Sequence, residues 1–151
     1  MVIEEVEHAI STAYKFDWEK APDDSRDALL FLAQAAAAIA PINAREMIDR
    51  YTAIRNSMDV TFAARLEPRA RAEEAYTQGL VLRAEGRLTA SAERLQAAFE
   101  TWESIGYEWR AARAALELAE LNAGDVFRLA VRRELIQRPD SVFSGRARLV
   151  A

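Results

Sequence analysis

Apolar residues in this chain form stripes spaced three or four positions apart, as at Leu88, Ala92, Leu95, Phe99 and Trp102. On a helix of 3.6 residues per turn that spacing gathers them on one face. It predicts about seven helices and no strand. The first spans 2–16, with Ile3, Val6, Ile10 and Ala13 on one face. Lys20-Ala21-Pro22-Asp23-Asp24 reads as a loop, and Asp24 or Ser25 caps a second helix running to 39. Apolar residues surround that helix, which predicts a central position. Its run 28–40 is broken by Gln34 and ends at Pro41, too short to cross a membrane. Asn43-Ala44-Arg45-Glu46 has the form of a capping box and predicts the start of a third helix. That helix carries Met47, Tyr51, Ile54 and Met58 as its stripe, with Glu46 and Arg50 paired one turn apart. The segment 58–67 reads either as a helical extension or as an irregular crossover.

Pro68 suits the first turn of a fourth helix, expected to reach 85, because its missing N–H is not needed there. Gly86-Arg87 predicts a turn. A fifth helix over 89–105 follows, with Leu88, Ala92, Leu95, Phe99 and Trp102 as its stripe. Gly106 is placed as a left-handed C-terminal cap, with Tyr107 after it to pack back. A sixth helix, 108–122, shows Trp109, Ala112, Leu116 and Ala119. Asn122-Ala123-Gly124-Asp125 is expected to end it. A seventh, 126–137, shows Phe127, Ala130, Val131 and Leu135, and Pro139 closes it. The domain reading is one helical domain: helices in 1–57, hairpins in 68–138 and a tail in 139–151. Short glycine turns make helices four to seven two antiparallel pairs, and pairs must stack to bury their faces.

Gly79 sits inside the fourth helix, where glycine is costly. Within 75–98, Gly79, Gly86, Ser91, Leu95 and Ala98 resemble a tetratricopeptide repeat, a helix hairpin with small residues where its helices cross. The resemblance places Gly79 mid-way along the first helix, Gly86 at the turn and Ser91 at the small position of the second. Tyr76 stands beside the position where that repeat carries an early aromatic, and Glu103 occupies its terminal proline position. The order GLVLRAEGRL…AAFETWESIGYEWRAARAALELAEL is similar to helical repeats of large LuxR-type and ATPase-linked bacterial regulators. The resemblance implies a short tetratricopeptide-like solenoid that binds proteins in signalling or transcription regulation. There is no G-x-x-x-x-G-K-[ST] motif, so the chain itself carries no phosphate loop.

Composition narrows the chemistry. Of 151 residues, 51% are hydrophobic, enough for a core. There is no cysteine, so disulfides, thiolate metal sites and a cysteine nucleophile are excluded. The formal net charge is −4, which argues against general nucleic-acid binding. Charge is uneven: Glu4, Glu5 and Glu7 stand near the start, and Arg128, Arg132, Arg133, Arg138, Arg146 and Arg148 near the end. That asymmetry suits either solvated faces or head-to-tail self-assembly into a homo-oligomer. Lysine occurs only at 15 and 20, a habit of GC-rich bacterial genomes, and a reducing cytoplasm fits the lack of cysteine.

Candidate catalytic constellations are thin. Glu5-Val6-Glu7-His8 fits the E-x-x-H pair of di-iron bundles, but such a site needs two and His8 is the only histidine. No G-x-S-x-G elbow is present. Glu100 with Glu103 and Glu117 with Glu120 lie at helix spacing, which reads as solvated pairs. The segment 87–104 would make an acidic recognition helix, which phosphates repel. The expectation is therefore no catalysis, no metal and no cofactor. The aromatics Trp102, Tyr107 and Trp109, with Tyr76, read either as core or as anchors for a protein or peptide partner. Arg110 and Arg113 beside them can clamp a carboxylate. The alternative is a helical sensor or enzyme holding a small ligand in a pocket lined by those four aromatics.

Overall fold

The computed structural model describes residues 2–17, 23–57 and 68–137, with side chains at 3–17, 27–56 and 68–124. Among them there are six helices and no strand: α1 (Val2–Lys15), α2 (Asp23–Ala37), α3 (Pro41–Ser57), α4 (Pro68–Ala84), α5 (Leu88–Ser104) and α6 (Glu108–Gln137). The ambiguous segment 58–67 and the tail 139–151 lie outside the described residues, as do the side chains of the stripe from Phe127 to Leu135 and of the C-terminal arginines. Helix α2 already starts at Asp23, one or two residues before the expected caps Asp24 and Ser25. The chain divides into two compact units, Met1–Ala115 and Leu116–Ala151.

In the first unit α2 packs against α1, α3 and α4, but it is not covered all round as expected: Phe31 is 49% exposed, and Ala28 and Ala35 on the same face are exposed as well. Leu29, Leu30, Ala33 and Ala36 are each at most 1% exposed. Ile10 and Ala13 of α1 and Met47, Ile48, Tyr51 and Ile54 of α3 close the core around them. Ile3, expected on the buried stripe of α1, is 55% exposed at the helix start. Helix α3 begins at Pro41, two residues before the expected capping box. Proline already fixes a helical φ there. The Asn43 amide instead donates to the Tyr14 hydroxyl at 3.0 Å, and that hydroxyl donates to Glu46 at 2.6 Å. Glu46 thus binds α1 rather than pairing on its own helix.

The hairpins have a common construction. The turns 38–40, 85–87 and 105–107 are each three residues long. At Gly86 and Gly106 φ is +77° and +78°, a left-handed backbone that side chains disfavour. The Gly86 N–H bonds Arg83 C=O and the Arg87 N–H bonds Leu82 C=O; Gly106 and Tyr107 repeat this with Glu103 and Trp102. These are two Schellman caps, which satisfy the last carbonyls of α4 and α5. Counting from the turns, Ala44, Ile48 and Tyr51 of α3 hold the same places as Ser91, Leu95 and Ala98 of α5, and all six are buried. The sequence shows no repeat before position 68 because these matched places hold different residues.

Helix α6 departs from expectation twice. It runs unbroken through Gly124, so the expected sixth and seventh helices are one and Gly124 is not a turn. A single helical glycine costs only about 1 kcal/mol, which favourable Ala- and Leu-rich flanks can outweigh. The buried face also differs. Ala111, Ala114 and Leu121 are buried, whereas Trp109 is 67% and Leu116 60% exposed, and Ala112 and Ala119 are exposed as well. Two residues along a helix turn the face by roughly 200°. In an alanine-rich helix, side-chain size pointed to the wrong side.

Candidate interaction surface

The surface is built outward from the crossing of α4 and α5. Ser91 donates its hydroxyl to Gly79 C=O at 2.7 Å, and both residues are buried. A Cβ on Gly79 would stand 2.7 Å from Leu95 Cγ. Only glycine permits this approach, because hydrogen replaces the methyl that would collide. The close crossing seats Tyr76 and Trp102 against each other, with ring centroids 5.4 Å apart. Both are almost fully buried, at 0% and 1% exposure. They cannot line an open pocket. The Trp102 indole N–H finds no acceptor among the described residues.

The first turns of α6 lie over this aromatic pair. The Arg113 guanidinium is 4.8 Å from the Tyr76 ring centre and 5.9 Å from that of Trp109. Arg110 is 5.9 Å from both Trp102 and Trp109. Buried rings, a layer of two cations and an exposed indole therefore follow one another outward. Cation–π attraction of this kind contributes about 0.5–1 kcal/mol at exposed sites and more where water is excluded. Tyr107, at the turn, is 40% exposed. Of the four aromatics, Tyr76 and Trp102 belong to the core, while Tyr107 and Trp109 reach solvent.

Beneath Arg110 lies a polar layer that the sequence pattern did not single out. Arg110 forms an ion pair with buried Glu73. Gln34 of α2 donates to Glu73 at 2.8 Å and to the Thr77 hydroxyl at 2.9 Å. Thr77 in turn donates to the Glu73 carbonyl at 2.8 Å. The neighbouring Glu74 turns to α3, where Arg55 Nε lies 2.8 Å from its carboxylate and Thr52 donates at 3.3 Å. Burial pushes the Glu74 carboxyl above the ordinary glutamate range, although Arg55 and its hydrogen bonds pull the other way. Burial also pushes Tyr51 up to about 12. The available signal was a Glu-Glu pair placed among the apolar residues of α4. Arg110 is thus already neutralised by Glu73, and Arg113 has no carboxylate partner among the described residues.

A small cleft between α1, α2 and α3, lined by Ala13, Tyr14, Leu29, Glu46, Met47 and Arg50, has room for about one water at 10 Å³. It contains none of the aromatics expected to line a ligand pocket. Among the described residues no group of three or more His, Asp or Glu is placed to hold a metal ion, and no helix is long and apolar enough to cross a membrane. Among the described residues the fold is all-α, with an aromatic–cationic patch at the first turns of α6. Compared with family models, curated proteins and solved structures, the chain matches none.

Proposed function

We propose that this protein is a non-catalytic protein-interaction module of tetratricopeptide-like type, with the first turns of α6 as its contact surface. The observation that carries the reading is Trp109. It is 67% exposed, yet it is held against two guanidiniums over a packed aromatic pair. A rigid exposed indole loses little conformational freedom on binding, and such residues dominate interface energetics. The three-residue turns and the matched buried places in α3 and α5 support a stack of helical hairpins. The sequence resemblance extends the proposal to a regulatory module that receives or relays a partner's signal. Affinity capture with the purified chain tests it. A protein retained by the wild type and lost with Trp109→Ala supports the reading. Capture of no protein, together with thermal stabilisation by a small metabolite, contradicts it, because a ligand specific for the native state raises its stability.

A further inference from the structure

The exposed residues of α6 follow a heptad. Trp109 and Leu116 stand seven apart, as do Ala112 and Ala119, giving apolar positions at i, i+3, i+7 and i+10. All four are exposed, so this seam is open. Spacing of this kind is that of the a and d positions through which helices pair side by side. The flanking charges fit the same frame. Glu108 precedes the first a position and Arg113 follows the first d position, five residues apart. In a parallel pair these g and e′ positions meet across the seam. Neither Glu108 nor Arg113 has an ion-pair partner among the described residues. Stacking over Tyr76 holds the Arg113 guanidinium in place with its N–H donors still available for a carboxylate.

We propose that the occupant of this seam is a second copy of the chain, with the two α6 helices parallel and Glu108 of each paired to Arg113 of the other. This rests on the reading of the α6 surface as an interaction site and names its partner. A two-fold axis turns one complementary pair of charges into two, and a single chain supplies both members. An unrelated partner would have to bring the complementary charges itself.

Sedimentation velocity of the full chain over a wide concentration range tests the proposal. The average mass should rise from 16.9 kDa towards twice that value. Glu108→Lys sets like charges across both flanks and should weaken association about tenfold. Arg113→Glu should do the same, and the two changes combined should restore it. Because Arg113 also touches the core, Ala112→Glu on the exposed seam is the second probe. It should abolish association while leaving helical circular dichroism unchanged. A monomer at every concentration overturns the proposal, as does association indifferent to Glu108→Lys and Ala112→Glu, or a double charge reversal that fails to restore it. A monomeric chain that still captures a different protein through Trp109 would remove the second copy and leave the interaction module standing.

Discussion

An alanine at position 79 would carry its Cβ to 2.7 Å from Leu95 Cγ and 2.8 Å from Leu95 Cδ2. The Leu95 backbone nitrogen lies 3.4 Å from the same point, and Leu95 is fully buried, so its side chain has little space to yield. On an exposed helix the same change would stabilise by about 0.5–1 kcal/mol, since alanine loses less backbone entropy than glycine. Overpacking a tight core costs about 1–3 kcal/mol. The clash therefore outweighs the propensity gain, and Gly79→Ala should destabilise by about 1–2 kcal/mol. For a chain of this size that lowers Tm by about 2–8 °C. Thermal unfolding followed by circular dichroism reads the shift. Leu95→Ala alone should cost about 2–5 kcal/mol, and the double variant should cost clearly less than the sum. A higher Tm for Gly79→Ala, or strict additivity with Leu95→Ala, would refute the close crossing.

Ser91→Ala should cost about 1 kcal/mol in chemical denaturation, because it leaves the buried Gly79 carbonyl without its donor. Gly124→Ala should raise Tm by a few degrees, since α6 is continuous there and alanine is preferred by about 1 kcal/mol; a fall would indicate a turn. For Glu74 the raised carboxyl means that the folded chain holds the proton more tightly than the unfolded one. Its stabilising contribution is complete below the ordinary glutamate value and is lost as pH rises through the folded one. The stability difference between wild type and Glu74→Gln should therefore decline as pH rises across that window, and a difference flat in pH would contradict it.

Helix positions were readable wherever a backbone signal coincided with a periodic stripe. Pro68 starts α4, and Gly86 and Gly106 take left-handed φ where turns were expected. Met47, Tyr51 and Ile54 faced the core because α3 has one apolar side. Two kinds of information were not local. At Gly124 the sequence signal for a stop was real but weak, and helix continuity overrode it. In α6 alanines lie on several sides, so the buried face was set by what α6 packs on rather than by its own pattern. The candidate site divided along the same line. Aromatic residues announced themselves by type, but which of them were core depended on the crossing at Gly79. The Gln34–Glu73–Arg110 layer joins α2, α4 and α6, and no spacing along one helix reveals it.

The central claim is that the α6 patch, and Trp109 above all, is where this protein meets others. Removing the indole alone tests it most directly. Trp109→Ala deletes an exposed ring, so Tm and helicity should change little, while binding to a captured protein or to a second copy should weaken by about tenfold or more. Undiminished binding by a well-folded Trp109→Ala chain would contradict the account.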